Sequence, residues 1–324
     1  MSKVRMSVAM CTYNGGRFLD EQLQSIAAQL RKPDEVVICD DGSVDNTHSI
    51  LREFANHAPF PVRIFVNENR LGPAKNFEKA LSQCDGDIIV LSDQDDLWKA
   101  QKLGTFEKTF EQNADAVYVF SNADMVDQEG TPLGYSMWQA FGFPKPPQQF
   151  SGADQVKFLL KRNLIAGATL AFRSSFREII LPIAGGWMHD YWIVLIGSTL
   201  SRGVPIPEQL SMYRRHANQV VGWKSKTFKQ AIMESIRAGE DVPAEKAERF
   251  REMLRRIEIN RDAAHYDPQC FDQLKRKEEH LAKRASVRSA LGLSRISGVL
   301  DEAFTGRYQQ FSNSWYSILR DLLY

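Results

Sequence analysis

The chain has 324 residues, 43% hydrophobic and 25% charged, proportions that build a sizeable core and exclude a disordered polypeptide. Its 41 Lys and Arg against 40 Asp and Glu leave a formal charge of +1, so the basic excess expected of a nucleic-acid-binding protein is missing. No apolar run approaches the roughly 18 residues of a membrane span, and the N-terminus turns polar at CTYNGG before the apolar core of an export signal forms.

From Val4 to Ser121 short apolar runs alternate with stretches of helical periodicity. The runs are SVAMC at 7–11, EVVIC at 35–39, VRIFV at 62–66, DIIVLS at 87–92 and AVYVFS at 116–121, each read as a buried strand. Between them FLDEQLQSIAAQL, NTHSILREFANH and AKNFEKALSQC carry apolar residues three and four apart, the mark of one buried helix face. This βαβαβαβ order predicts an α/β fold with a Rossmann-like, mostly parallel sheet flanked by helices. Further on, VDQEGTPLG at 126–134 reads as a hairpin and YSMWQAFGFPKPPQQF as a long loop. NLIAGATLAF, the helical run HDYWIVLIGSTLSRG and VPIPEQLSMYRRH are expected to extend the same sheet. From Lys224 the sequence becomes charged and helical, with 19 Lys and Arg against 15 Asp and Glu, 19 − 15 = +4. A domain at 1–223 and a helical C-terminal appendage at 224–324 are therefore expected. Cys11, Cys39, Cys84 and Cys270 lack C-x-x-C spacing and read as reduced core residues of a cytoplasmic protein.

Two acidic motifs carry chemistry. In EVVICDDGSVDNT, Asp40 and Asp41 follow a strand and precede a turn and a helix, the edge where open parallel sheets bind ligands. Such a pair suits a nucleobase or ribose, and the competing reading is a helix cap. In DIIVLSDQDDLW, Asp93, Asp95 and Asp96 crowd the end of another apolar strand. Three carboxylates confined together repel one another unless a cation compensates, and an oxygen-rich site suits Mg2+ or Mn2+ with substrate phosphates completing the shell. The competing reading is a solvated acidic loop.

Together SVAMCTYNGGRFLDEQLQSI, VVICDDGSVDNT, NRLGPAKNFEKAL and LSDQDDLWKAQK resemble, in order and spacing, the inverting glycosyltransferase family 2 with its GT-A fold, in the manner of its bacterial rhamnosyltransferase-like branch. The resemblance spans roughly Val4 to Gly222. It implies a metal-dependent, non-processive transfer of a sugar from a nucleotide diphosphate-sugar, dTDP-rhamnose or a UDP-sugar, to a hydroxyl of a glycan or lipid-linked acceptor in cell-surface polysaccharide synthesis. It further implies that Thr12 and Tyr13 line the nucleotide pocket, that Asp41 and Asp40 recognise base or ribose, and that Asp93 lies toward the ribose with Asp95 on the metal. Lys75 falls where a side chain approaches the nucleotide. Asp190 corresponds to the general base, with the helix cap as its competing role, and the His189-Asp190 pair stands where the family more often has Glu-Asp. In MYRRHANQVVG, His216 is implied to approach the metal or diphosphate, with Arg214 and Arg215 as nearby cations. Cys11 departs from the family's usual proline before Thr12.

A sugar nucleotidyltransferase would need a glycine-rich basic N-terminal loop that is missing, and a catalytically silent nucleotide-sugar-binding protein would not need Asp95 and Asp190. In the tail, Tyr308, Phe311, Trp315, Ile318, Leu319 and Leu322 form a helical stripe. It is read as docking on the core, or alternatively as peripheral attachment to the anionic inner face of a membrane.

Overall fold

The computed structural model describes residues 4–143, 152–216, 242–263, 265–312 and 315–323. Each apolar run of the first half folds into a strand: β1 (Met6–Thr12), β2 (Glu35–Asp40), β3 (Val62–Val66) and β4 (Ile88–Ser92). They lie parallel in the order β3-β2-β1-β4, joined by helices α1 (Leu19–Ala27), α2 (Thr47–His57) and α3 (Pro73–Gln83). β2 and β4 are buried throughout and β1 at every position but the half-buried Cys11, whereas β3 is half-buried and ends on exposed Val66. β3 closes the edge of the sheet, so a run as apolar as its neighbours keeps one side in solvent.

The short β5 (Leu97–Trp98) and α4 (Lys102–Gln112) intervene before β6 (Ala116–Val126). β7 (Pro132–Ser136) pairs with β6 as the expected hairpin. The expected long loop instead opens on β7 and α5 (Met137–Phe141), because Ser136 and Gln139 form a reciprocal capping box and Trp138 stacks on Phe143. Residues 144–151 of that segment lie outside the described residues. α6 (Gly152–Leu159), β8 (Leu170–Arg173), α7 (Arg177–Ile180), α8 (His189–Leu200) and β9 (Arg202–Arg214) follow. β8 enters antiparallel between β4 and β6, β9 runs parallel to β6, and β5 pairs antiparallel with β9. The result is one nine-stranded sheet.

The C-terminal segment is helical: α9 (Pro243–Ile259), α10 (Pro268–Ser289), α11 (Gly292–Phe304), α12 (Arg307–Phe311) and α13 (Trp315–Leu323). The boundary expected at 223/224 lies outside the described residues. Phe250, Met253 and Ile257 of α9 and Leu274 of α10 share one apolar cluster with Trp192 and Leu195 of α8 and Leu91 of β4, so these helices complete the core on one face of the sheet. Cys39, Cys84 and Cys270 are buried and Cys11 half-buried, all as free thiols. Among the described residues no helix is long and apolar enough to cross a membrane.

Candidate active site

β1, β2 and β4 end together, with Thr12 opposite Asp40 and Met10 opposite Ser92. β1 is the point where chain order reverses across the sheet, and ligands of open α/β sheets bind outside the carboxyl ends at such a point. The two adjacent aspartates there serve different ends. Asp40 is fully buried and accepts hydrogen bonds from Thr12 Oγ1 (2.7 Å), Ser43 Oγ (2.6 Å) and the Gly42 and Ser43 amides, with His48 Nε2 at 2.7 Å. Burial opposes its ionisation, but bonds from Ser43, Thr12 and His48 outweigh that and lower its pKa. Asp41 accepts from Asn67 Nδ2 (2.9 Å) and from the amides of Leu71 (2.7 Å) and Gly72 (2.8 Å), pinning the 67–72 loop beside the same edge. Tyr13 is held to the β4 loop, its amide donating to Gln94 Oε1 and its carbonyl accepting from Gln94 Nε2, and the Arg70 guanidinium sits 3.9 Å over its ring.

The acidic loop after β4 is neutralised from behind. Lys102, fully buried, donates to Ala168 O (2.6 Å) and Ser211 Oγ (2.9 Å); burial pulls its pKa down to about 7 against the opposing charges of Asp96 and Asp93. Arg214, also buried, clamps the loop. Its amide donates to Asp96 Oδ1, Nε to Asp95 O, one terminal nitrogen to Gln128 O and the other to Glu21 Oε2. Burial, then the charges of Asp95 and Asp190, raise Asp93 to about 7. His216, at the end of β9, places Nε2 2.8 Å from Asp95 Oδ2. Among the described residues no three His, Cys, Asp or Glu groups close a metal cage. Asp95 and His216, which touch each other directly, both line the cavity; a carboxylate and an imidazole are donor types compatible with Mg2+ or Mn2+, ions that keep water and substrate phosphates in much of their shell.

Asp190 is the second residue of α8, whose cap position is Met188, so the cap reading does not describe it. Its carboxylate accepts from the amides of Gly167 (3.2 Å) and Tyr191 (2.6 Å). Burial raises its pKa to about 6, with those amides and Asn163 acting in the opposite sense. Beside it His189 is 4% exposed, stacks on Phe77 at 3.8 Å, and has no hydrogen-bond partner on either ring nitrogen among the described residues. Burial lowers its pKa to about 3, so the ring is neutral. The preceding turn is braced by α9: Arg249 donates to Gly186 O (3.0 Å), Trp187 Nε1 donates to Arg249 O, and Trp187 packs edge-on against Phe250.

All of this surrounds one cavity of about 650 Å³, within the range of small-molecule sites. Thr12, Tyr13, Asp41, Asp93, Asp95, Asp190 and His216 line it. Asp40, Lys75 and Arg214 do not line it: Asp40 and Arg214 are buried, and the partly exposed Lys75 pairs with Glu78 (2.7 Å) and donates to Ile183 O. Sequence reasoning missed Arg17, Arg70, Arg162 and Phe77 on the wall and Lys102 beneath it. A lysine in a helical run offers no signal of full burial; Arg17, Arg70 and Phe77 stand inside the segments that carry the resemblance but take no role from it, and Arg162 stands in a segment without a motif.

The family description "Glycosyl transferase family 2" matches residues 7–180, more than half of the chain. An uncharacterized glycosyltransferase of Nostoc sp. is 27% identical over 235 residues, 70% of each chain. A dTDP-rhamnosyl transferase of Shigella flexneri is 38% identical over 119 residues, 36% of this chain and 38% of that one. The chain spans 61% of an uncharacterized Mycobacterium tuberculosis protein to which it is 27% identical. Among solved structures, S. aureus TarS 1-349 in complex with UDP-GlcNAc superposes with a TM-score of 0.59 at 16% identity, over 92% of this chain and 80% of that one, a likeness of fold.

Proposed function

The chain belongs to glycosyl transferase family 2, and from that premise we propose that it is a metal-dependent, inverting transferase moving a sugar from a nucleotide diphosphate-sugar to a hydroxyl of a glycan or lipid-linked acceptor. The observation that carries this reading is that Asp190, a half-buried carboxylate, shares one cavity with the Asp95–His216 pair and with Thr12, Tyr13 and Asp41.

In this reading Thr12, Tyr13 and Asp41 hold base and ribose, with Asp93 on the ribose side. Asp40 and Arg214 act from outside the cavity, keeping the turn and the acidic loop in place, and Lys75 ties α3 to the segment at Ile183. Asp95 and His216 would hold Mg2+ or Mn2+, which supplies positive charge to the departing diphosphate. Asp190 takes the proton of the acceptor hydroxyl as its oxygen bonds to the anomeric carbon from the face opposite the diphosphate. The carbon–oxygen bond to the diphosphate breaks with its electron pair, and nucleoside diphosphate leaves. A pKa near 6 suits that base: it is ionised at neutral pH yet more basic than a free aspartate.

Phe77, Phe141, Ile165 and Met188 give the cavity apolar lining, suited to the methyl of a 6-deoxyhexose. That property and the rhamnosyl transferase relative make dTDP-rhamnose the first donor to test. His189, neutral and stacked on Phe77 in the same wall, supports the turn that carries Asp190. The test is a thermal-shift screen of dTDP-, UDP- and GDP-sugars with and without Mg2+ or Mn2+, followed by NMR of the product's anomeric configuration. A donor that stabilises only with metal and yields an inverted linkage is expected. Retention of configuration, or stabilisation by no nucleotide-sugar, rejects the reading.

A further inference from the structure

The last helices are amphipathic in the inverted sense. On α11, Leu293, Ile296, Leu300 and Phe304 recur at three and four residues and form one stripe, yet all face solvent, Leu293 at 83% and Phe304 at 88% exposure. The opposite side of the helix, with Gly298, Val299 and Glu302, is buried. On α13, Trp315, Leu319, Leu322 and Leu323 are exposed, whereas Ser317 and Asp321 are buried. A helix docked only to cover a core turns the other way.

This orientation is enforced. Asp321 accepts from Arg284 (2.6 and 3.0 Å), Arg288 (2.6 Å) and Tyr308 (2.6 Å), and Glu302 meets His280 at 2.7 Å. Rolling either helix over would strand these buried charges. The aromatic stripe of the tail is thereby divided: Tyr308 and Phe311 dock inward, while Trp315, Leu319 and Leu322 stay outside.

We propose that the outward faces of α11 and α13 together form a surface that seats the protein on an anionic lipid bilayer. The two helices pack on each other, so their stripes belong to one patch. Charge selects this occupant. Of the acids on α11 and α13, Glu302 and Asp321 point inward and Asp301 alone is exposed, while Arg295 and Arg320 remain at least partly accessible. Counting only the charged side chains of the two helices that are not buried, Arg295 and Arg320 stand against Asp301, 2 − 1 = +1. An apolar stripe bearing a Trp–Tyr pair, Trp315 stacked on Tyr316 at 3.7 Å, combined with a cationic balance is the composition of a helix lying in the headgroup region.

The test is co-sedimentation of the full chain with phosphatidylcholine vesicles, with and without phosphatidylglycerol, and sedimentation velocity without lipid. The wild type is expected to be monomeric and to pellet with the mixed vesicles more than with phosphatidylcholine alone. Leu293→Ser with Phe304→Ser, both at exposed positions, should reduce pelleting by roughly tenfold or more, as expected for removing two large apolar groups from the interface, with an unchanged melting temperature. Equal pelleting of wild type and double variant, or no preference for the anionic vesicles, overturns the proposal. A wild-type dimer that the double substitution makes monomeric reassigns the face to a second copy of the chain.

Discussion

Asp95 Oδ2 lies 2.8 Å from His216 Nε2, joining the loop after β4 to the end of β9 across 121 residues of sequence. Neither group can take this partner unless β5 and β9 pair as they do, Leu97 opposite Met212. The pair defines the first expectation. Asp95→Asn and His216→Ala should each weaken nucleotide-sugar binding in the presence of Mg2+ or Mn2+ by at least the roughly tenfold that even an outer-shell partner of a metal is worth, and EDTA should reduce wild-type affinity to the level of the variants. Calorimetry with and without metal checks this, and an Asp95→Asn protein with unchanged metal dependence removes the metal assignment.

Asp190 should govern the pH profile. As a base it works only when ionised, so transfer is expected to rise with pH through about 6 and to be level above 7. Asp190→Asn should lower the rate by about 10² or more and abolish that limb, with donor affinity little changed. Stability moves the other way. A carboxylate whose folded pKa is raised above its unfolded value binds more protons folded than unfolded, so its contribution is present at low pH and lost as pH rises through about 6. The melting temperature of Asp190→Asn relative to wild type should therefore increase between pH 4 and pH 8.

Arg214 separates support from contact. Its guanidinium bonds Asp95 O, Gln128 O and Glu21 at once, a fork that a lysine ammonium cannot reproduce. Arg214→Lys should destabilise the fold by about 2 kcal/mol, the scale for losing a hydrogen bond from a charged group, seen as a lower denaturation midpoint. Donor affinity measured well below that midpoint should fall less than tenfold. A large affinity loss without destabilisation would place Arg214 on the donor itself.

Replacing His189 by Phe keeps the stack on Phe77 and removes two buried nitrogens that lack protein partners. The protein should melt no earlier than wild type, since an unsatisfied buried polar group costs free energy. Transfer should change less than roughly tenfold, the worth of one hydrogen bond, because neither nitrogen reaches the cavity surface. Thermal melts and steady-state kinetics of His189→Phe check both, and a large loss of transfer in a protein of unchanged melting temperature would place His189 on the substrate.

How much of this was legible beforehand follows from which interactions are local. The strands β1, β2 and β4 and the helices α1 to α3 are written in runs of apolar residues and their spacing, because burial against a sheet demands that pattern wherever the chain goes next. The acidic motifs were legible for the same reason, each standing at the end of such a run. The half-exposed β3 was not, since being an edge depends on what fails to pair beside it. Nor was the division of labour between Asp40 and Asp41, identical neighbours whose roles were set by Thr12 on one side and the 67–72 loop on the other. The sequence by itself determined the elements, the family resemblance and the residue types of the site. Only the tertiary structure decided that Lys102 and Arg214 lie beneath the carboxylates, that α9 braces the turn before Asp190, and that α11 and α13 turn their apolar faces outward. In each case a long-range charge or packing partner fixes an orientation on which local periodicity is silent.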